Sequence, residues 1–283
     1  MRMNLQYKNQ KKILEEKNVA GVEYLTYPLL EQTGIVKHGF STRFGGVSEG
    51  VCSTMNLSFA RGDKEEAVRE NFRRMAQALD VRVEDFVFSK QTHTTNVRVV
   101  TEEDRGKGLL RPLDYDNVDG LVTNIPGICL ATFYADCVPL FFVDTVRKAI
   151  GLSHSGWRGT VGKIGKATVE AMTRVYGTNP KDVVAAIGPS ICQDCYEVSE
   201  DVIEEFRKNY EKRYWEELFY PKGNGKYQLN LWRANEIVFL EAGIQTENIA
   251  VTNVCTCCNP GALFSHRASN GKRGNLGAFM AIK

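Results

Sequence analysis

Residues 133–160 read FYADCVPLFFVDTVRKAIGLSHSGWRGT and contain two apolar runs, one on each side of a short polar segment. Runs of this length that are rich in Val, Ile, Leu and Phe are typical of buried strands, so the stretch predicts a β-hairpin. The numbers of facing residues in an antiparallel pair have a constant sum. A turn centred on Thr145 and Val146 sets this sum at 291, which would place Cys137 directly opposite His154 at the open end of the hairpin.

Further strand-like segments lie on both sides of the hairpin. Their sequences are IVKHGF, FVFSK, NVRVV, ICLATF, VVAAI and IAVTNV. Together with four predicted helices they indicate an α/β or α+β fold, in which mixed and largely antiparallel sheets are flanked by helices. No repeat or long linker marks a boundary, so we expect one domain over residues 1–283, with residues 1–20 as a polar N-terminal extension.

The helices are predicted from apolar spacing and from residues that favour helix ends. Asp63 is expected to cap the first helix, in a capping box with Glu66. Gly177 is placed to end the second. The last two helices are expected to begin near Ser199 and near Asn230.

The charges of the chain are nearly balanced, since 36 Lys and Arg stand against 34 Asp and Glu and leave a formal net charge of +2. This balance provides no broad electrostatic footprint for nucleic acid or for an anionic membrane, so neither is expected as a partner. The polar amino terminus lacks the apolar core of a secretory signal, and no stretch reaches the roughly 18 apolar residues of a membrane helix. We therefore expect a cytoplasmic protein, in which the eight cysteines stay free or bind metal.

A metal site is predicted from two of the four histidines and one of the cysteines. His93 lies in KQTHTTNV, between two strand-like segments, where its side chain can point into a mouth shared with Cys137 and His154. Two imidazoles and one thiolate suit Zn²⁺, a borderline-soft ion, and leave the fourth tetrahedral position for water or substrate. This stoichiometry is that of a catalytic zinc site, with Cu²⁺ as the weaker alternative.

Several short motifs occur in the same order as in a known family. They are FSTRFGGVSEG, MNLSFARGD, KQTHTTNV, DGLVTN, ADCVPL, SHSGWRGT, IGPSICQDCYEV and CTCCNPGALFSHRASNGKRG. On these motifs the chain resembles, over nearly its whole length, the YfiH-like (DUF152) family. Members of that family carry the older names polyphenol oxidase and laccase-domain protein, and are now associated with purine nucleoside phosphorylase activity. The segment SHRASNGKRG departs from the Arg-Arg pair that is usual in the family.

The resemblance implies an α/β domain of the type shared with bacterial toxin deamidases, and a zinc ion on the residues that match His93, Cys137 and His154. It also implies phosphorolysis of adenosine, inosine, guanosine and 5'-methylthioadenosine, with an accompanying adenosine deaminase activity. The partners would then be purine nucleosides and inorganic phosphate. The sequence leaves open whether the chain is a monomer or a homodimer.

Substrate contacts are expected in the same motifs, where arginines offer forked donors that suit phosphate. Arg158, Lys272 and Arg273 are further candidates for anion binding. The predicted substrate-binding residues are Arg43, Asn56, Arg61, Gly62, Asp63, His266 and Arg267.

The cysteines and histidines also allow three other interpretations of the function. In a cysteine hydrolase or amidase, Cys137 would be the nucleophile and His154 the base, with Asp136 or Gln91 as the orienting group. A multicopper phenol oxidase needs more histidines than the four in this chain, so we set it aside. In a noncatalytic zinc-binding protein, the segments CQDC and CTCC would form a structural zinc site. The cysteines concerned are Cys192, Cys195, Cys255, Cys257 and Cys258.

Overall fold

Two six-stranded sheets and a three-stranded sheet form the framework of the computed structural model, which describes residues 3–283. Every strand-like segment that the sequence analysis identified contributes one of the strands. The strands are β1 (Glu15–Val19), β2 (Val22–Thr26), β3 (Val36–Ser41), β4 (Phe86–Phe88), β5 (Val97–Val99), β6 (Gly120–Thr123), β7 (Cys129–Tyr134), β8 (Val138–Asp144), β9 (Ala149–Ser155), β10 (Val183–Ile187), β11 (Glu197–Ser199), β12 (Phe219–Gly223), β13 (Lys226–Leu229), β14 (Ile249–Val251) and β15 (Leu276–Ile282).

The strand order in the first large sheet is β1-β2-β3-β15-β7-β4, and in the second large sheet it is β14-β10-β8-β9-β6-β5. The small sheet has the order β11-β13-β12. Most neighbouring strands are antiparallel, whereas β4 and β7, β5 and β6, and β10 and β14 are parallel. The predicted fold, with mixed and largely antiparallel sheets, is therefore confirmed.

Helices connect these strands and cover the two large sheets. The second predicted helix is divided in two at Lys163, whose left-handed φ of 59° interrupts the helical backbone, and it ends as predicted at Gly177 with a φ of 70°. The helices predicted near Ser199 and Asn230 begin one residue later in each case. The helices are α1 (Pro28–Glu31), α2 (Glu65–Leu79), α3 (Trp157–Val161), α4 (Ile164–Tyr176), α5 (Glu200–Asn209), α6 (Trp215–Leu218) and α7 (Leu231–Glu241).

The two large sheets pack face to face, and helices lie on their outer faces. The core between the sheets contains Phe40 and Met280 from the first sheet, together with Phe141 and Leu152 from the second, and all four are fully buried. Helix α2 packs on the outer face of the first sheet through Phe72, while α4 and α7 cover the second sheet. Successive side chains of a strand point to opposite faces of its sheet. Each large sheet therefore contributes side chains both to the core between the sheets and to the core under its own helices.

The β8–β9 hairpin forms as predicted, but its register is different. Pro139, rather than Cys137, pairs with His154, so the numbers of paired residues sum to 293. The carboxylate of Asp144 explains the difference, because it accepts the backbone N–H of Arg147 and of the residue before it and so sets a longer turn. Since the two registers differ by two residues, the side chains keep their faces. Cys137 therefore still lies on the same side as His154.

The predicted N-terminal cap of helix α2 is wrong. The helix begins at Glu65 with Lys64 at the N-cap position, and neither Asp63 nor a capping box with Glu66 caps it. Asp63 is engaged just before the helix, where one oxygen accepts the side-chain amide of Asn56 at 2.9 Å and the other accepts the backbone N–H of Lys64 at 2.9 Å. A hydrogen bond to another part of the loop has thus replaced the local cap.

The predicted N-terminal extension contributes a strand. Residues 15–19 form the edge strand β1, and Leu5 and Leu14 are buried in the core between the sheets. The first two residues of the extension lie outside the described residues, and the assignment of one domain to residues 1–283 stays a prediction. None of the helices in residues 3–283 combines the length and the apolar character needed to cross a membrane.

Candidate active site

The three predicted metal ligands come together where the chain crosses from one large sheet to the other. Cys137 lies between β7 of the first sheet and β8 of the second, and His93 lies between β4 of the first and β5 of the second. His154 is near the end of β9 in the second sheet. One donor atom from each residue lies within 4.8 Å of the other two. The three donors thus form one compact cluster.

Asp119, to which no sequence motif assigned a role, positions two of the predicted ligands. This aspartate is fully buried just before β6. Its Oδ1 accepts a hydrogen bond from Nδ1 of His154 at 2.8 Å and from the backbone N–H of His93 at 3.0 Å. Its Oδ2 accepts the backbone N–H groups of Thr92 and Thr94 at 2.9 and 3.0 Å. One carboxylate therefore fixes both the His93 loop and the orientation of the His154 ring.

The bond to Asp119 decides which ring nitrogen of His154 is free. Because Nδ1 is engaged, Nε2 is the nitrogen that remains for a metal. The Nε2 atom of His93 lies 3.9 Å from Sγ of Cys137. His93 has a φ of 67°, in the left-handed region that is uncommon for residues other than glycine. The hydrogen bonds from its own N–H and from both neighbouring N–H groups to Asp119 hold the backbone there.

Gly156, just after β9, provides room for the donor atoms. A Cβ atom at this position would lie 2.7 Å from Cδ2 of His93 and 3.2 Å from Sγ of Cys137. A real Cβ atom does not come this close to other heavy atoms, and a close-packed interior leaves little room to adjust. Any side chain here would therefore displace the donor atoms. The donor set and the space around it both fit a metal ion, since two imidazoles and a thiolate are ligands that zinc takes.

The electrostatics of the cluster favour a thiolate. Burial raises the pKa of Cys137, but the charges and hydrogen bonds of His154 and His93 more than offset this effect and lower the pKa to about 6. Burial lowers the pKa of His154, but Cys137 and Asp119 raise it to about 9. The cluster therefore holds cysteine at neutral pH in the ionised form that binds metal.

A cleft of about 300 Å³ opens over the cluster. Phe133 forms part of its wall, and three cationic side chains line it: Lys90, which is paired with Asp116, and the two arginines Arg61 and Arg273. Burial and the charge of Arg61 lower the pKa of Arg273 to about 10, and Nε of Arg273 is buried without a hydrogen-bond partner among the described residues. Two cations that repel each other in a cleft favour an anion between them. The rest of the lining consists of Ser89, Gln91, His93, Ala135, Cys137, His154 and Asn275.

Of the seven predicted substrate-binding residues, Arg61 lies in the lining of this cleft and the other six lie outside it. Arg43 and Arg267 each donate side-chain hydrogen bonds to two backbone carbonyl oxygens. Their guanidinium groups therefore brace loops of the protein. Gly62 follows Arg61 in the chain and has a left-handed φ of 72°.

The remaining three predicted contacts lie beside lining residues. Asn56 donates to the carboxylate of Asp63, and its side-chain oxygen accepts the backbone N–H of Asn275 at 2.9 Å. The ring Nδ1 of His266 lies 3.5 Å from a guanidinium nitrogen of Arg273. These residues support the cleft wall, and a direct role in substrate binding stays a prediction for each.

The two residues expected to orient the base of a cysteine hydrolase have other partners. Gln91 exchanges hydrogen bonds with the backbone of Phe133, and the carboxylate of Asp136 bonds to two loops near the carboxyl terminus. Asp119 occupies the position beside His154 instead. The sequence signal for this role was the acidic residue that opens DGLVTN, directly before an apolar strand.

Comparison with known proteins identifies the family of the chain. The family model described as "Multi-copper polyphenol oxidoreductase laccase" matches residues 37–283. The chain belongs to this family. The crystal structure of the Bacillus licheniformis hypothetical protein YfiH aligns with a TM-score of 0.88 at 34% identity, covering 95% of this chain and 99% of that one. The family and the fold that the sequence motifs indicated are both confirmed.

Two curated relatives of the chain have the names of enzymes. "Purine nucleoside phosphorylase YlmD" of Bacillus subtilis (strain 168) is 36% identical over 87% of this chain and 88% of its own length. "Adenosine deaminase RL5" of an unknown prokaryotic organism is 38% identical over 81% of this chain and 87% of its own length. The chain is therefore an enzyme. This result argues against the alternative interpretation as a noncatalytic zinc-binding protein.

Proposed function

We propose that the protein is a zinc-dependent purine nucleoside phosphorylase. Its substrates would be phosphate and adenosine, inosine, guanosine or 5'-methylthioadenosine, and its products the free base and ribose 1-phosphate or its methylthio analogue. The observation that carries the proposal is the presence, in one cleft, of the His93–Cys137–His154 donor set and of two guanidinium groups, those of Arg61 and Arg273. The printed names of the relatives support the same chemistry.

Phosphorolysis breaks the glycosidic C–N bond, forms a C–O bond between the sugar and phosphate, and transfers a proton to the departing purine. Arg61 and Arg273 would hold the phosphate, since guanidinium groups offer forked donors to its oxygens. Phe133 offers an aromatic face on the cleft wall for the base or the sugar. Asp119 keeps His154 in the tautomer that presents Nε2 to the cleft.

The donor set is the reason to assign zinc. When bound to His93, Cys137 and His154, zinc would supply a Lewis acid able to polarise an oxyanion or to acidify water, which suits both phosphorolysis and deamination. Copper is the weaker alternative because a multicopper cluster needs many imidazoles. The other two histidines of the chain, His38 and His266, lie outside this cluster.

Adenosine deamination is proposed as a second activity of the same cleft. In that reaction water replaces the amino group of the purine, so the products are inosine and ammonia. The relative named adenosine deaminase supports this part of the proposal.

Product analysis of purified, zinc-loaded protein tests the proposal. Each of the four nucleosides is incubated with and without phosphate, and the base, the sugar phosphate and ammonia are quantified. We expect free base and sugar 1-phosphate only in the presence of phosphate, and ammonia from adenosine in both conditions. Release of base with free ribose in the absence of phosphate would indicate a hydrolase, and release of no base from any nucleoside would contradict the proposal.

Substitution of Arg61 tests the phosphate site. Removing a charged hydrogen-bond donor costs about 1.5–3 kcal/mol, so we expect Arg61→Gln to raise the KM for phosphate by roughly tenfold or more, with a smaller effect on the KM for the nucleoside. Arg73→Gln is the matched control, because Arg73 pairs with Glu70 on the exposed side of α2. An unchanged KM for phosphate in Arg61→Gln would place the phosphate elsewhere.

A cysteine hydrolase is the second candidate, because Cys137, His154 and Asp119 are arranged as a nucleophile, a base and an orienting carboxylate. Alkylation distinguishes the two functions. A thiolate engaged by zinc reacts slowly, so zinc-loaded protein should resist iodoacetamide at Cys137 and metal-depleted protein should react. Equally fast alkylation of both forms would favour the hydrolase.

We also propose a cytoplasmic location. All eight cysteines are free thiols in the structure, which suits a reducing compartment. Fractionation of the cells that produce the protein, followed by immunodetection, would test this part of the proposal.

A further inference from the structure

A second group of four cysteines lies outside the candidate active site. Cys192 and Cys195 follow β10, and Cys255 and Cys258 follow β14. These two strands are parallel neighbours in the second large sheet, so their carboxyl ends meet at the same edge. All four Sγ atoms lie within 4.8 Å of one another. The fold thus brings two Cys-x-x-Cys pairs face to face.

We infer that these four thiolates bind one tetrahedral metal ion and form a structural zinc site. With Zn–S bonds of about 2.3 Å, the sulfurs of a tetrahedral site are about 3.8 Å apart. The Sγ atom of Cys258 lies 3.5 Å from that of Cys195 and 4.0 Å from that of Cys192. An iron–sulfur cluster holds several iron and sulfide atoms between its cysteines and needs a wider spacing. Four protein ligands leave no open position, so the site is structural.

Backbone N–H groups surround the sulfur of Cys255 as they would surround a thiolate. Cys255 is fully buried, and its Sγ accepts the N–H of Cys192 at 3.2 Å and the N–H of Cys258 at 3.4 Å. Hydrogen bonds to an ionised acceptor are stronger than those to a neutral one. Cys192 and Cys255 are buried, whereas Cys195 and Cys258 are partly buried. Thiolates grouped in such surroundings need a cation for charge compensation, and a metal ion supplies it.

The same two cysteine loops hold Asp136, the residue before Cys137. Asp136 has a left-handed φ of 87°. Its backbone oxygen accepts the N–H of Ile191, next to the first cysteine pair, at 3.0 Å. Its Oδ1 accepts the hydroxyl of Thr256, within the second pair, at 2.7 Å, and its Oδ2 accepts the backbone N–H of Arg267 at 2.7 Å. The ion therefore acts as a positioning element, which fixes Cys137 through Asp136 without touching the substrate.

Zinc content of protein purified under reducing conditions tests the inference. We expect two zinc ions per chain in the wild type and one in the double variant Cys195→Ser, Cys258→Ser. Cys137→Ala also loses one ion, from the other site. Cys257→Ser is the matched control, because Cys257 is adjacent to the cluster but is not one of its four ligands, and it should keep both ions. If the proposed active-site zinc were absent, the wild type would bind one ion and the double variant none.

Cobalt in place of zinc reports the ligand type. Cobalt on four thiolates absorbs more strongly through sulfur-to-metal charge transfer than cobalt on a single thiolate, so the double variant should lose most of this absorption. Hydrogen exchange at Ile191 and Arg267 should also become faster in the double variant, because Asp136 loses its support.

Three outcomes would overturn the inference. They are a double variant with wild-type zinc content, a Cys195–Cys258 disulfide that forms in the protein during purification under mildly reducing conditions, and a wild-type cobalt protein with one ion and the spectrum of one thiolate. The last measurement needs no substitution, so it decides the question even if the double variant does not fold.

Discussion

Substitution of Asp119 by Asn is the sharpest test of how the candidate active site is organised. Asp119 is fully buried and accepts five hydrogen bonds, from the His93 loop and from Nδ1 of His154. Asparagine has the same shape but replaces one carboxylate oxygen by an NH₂ group. If the remaining oxygen faces His154, the NH₂ group faces the N–H groups of Thr92 and Thr94, and donors then meet donors.

The size of the effect follows from these contacts. A fully buried donor left without an acceptor costs about 1–3 kcal/mol. Thr92 is exposed and Thr94 is half-buried, so water can partly replace the lost acceptor, and the two together should lower the free energy of unfolding by roughly 1–3 kcal/mol. Loss of a carboxylate behind a ligating histidine typically lowers metal affinity by about 10–100-fold, which corresponds to about 1.4–2.8 kcal/mol of binding free energy. We therefore expect Asp119→Asn to weaken both folding and zinc binding at the His93–Cys137–His154 cluster.

The assay is a competition for zinc between the protein and a chromogenic chelator, combined with denaturant unfolding of the metal-free protein. Asp104→Asn is the matched control, since Asp104 is also buried but accepts hydrogen bonds from Arg98 and Lys107. The control should lose stability and keep the zinc affinity of the wild type. An Asp119→Asn protein with wild-type zinc affinity would show that the carboxylate does not organise the ligands.

Three further predictions concern space, charge and packing. Gly156→Ala places a methyl group 2.7 Å from Cδ2 of His93, so activity and zinc affinity should both fall at least tenfold. A Gly156→Ala enzyme with wild-type activity would show that the donor atoms do not need this space. Burial raises the pKa of Asp104, but Lys107 and other hydrogen-bond donors lower it to about 2. The ionised Asp104 should therefore contribute about 2 kcal/mol to the free energy of unfolding above pH ~4, and this contribution should disappear towards pH ~2. If the free energies of unfolding of the wild type and Asp104→Asn differed by the same amount at both pH values, this prediction would be wrong. Phe72 is fully buried against the outer face of the first sheet, so Phe72→Ala should lower the free energy of unfolding by about 3–5 kcal/mol. A denaturant titration that shows a loss of less than about 1 kcal/mol would be inconsistent with this packing.

The hairpin shows how far local sequence patterns determine this fold. The apolar runs located β8 and β9 correctly, but the side chain of Asp144 shifted the register by two residues. Cys137 and His154 nevertheless lie close together, because a shift of two residues leaves each side chain on the same face of the sheet. A shift of one residue would have placed them on opposite faces.

Sequence patterns do not reveal hydrogen bonds between residues that are far apart in the chain. The role of Asp119 depends on N–H groups that lie 25 to 27 residues earlier in the chain. Arg43 and Arg267 looked like phosphate ligands because guanidinium suits phosphate, yet both donate to backbone carbonyls that only the folded chain brings near. Residue chemistry therefore predicted a donor set that the fold does bring together, whereas the groups that orient its members required the structure.

Formation of ribose 1-phosphate from inosine and phosphate shows directly whether the metal cluster carries the reaction. It is followed in metal-depleted protein while zinc is added from zero to two equivalents, with Cys137→Ala treated in parallel. We expect the depleted wild type to be inactive and zinc to restore its activity, while Cys137→Ala stays inactive throughout. Full activity of the metal-depleted protein, or equal activity of Cys137→Ala, would contradict the claim that the His93–Cys137–His154 cluster carries the reaction.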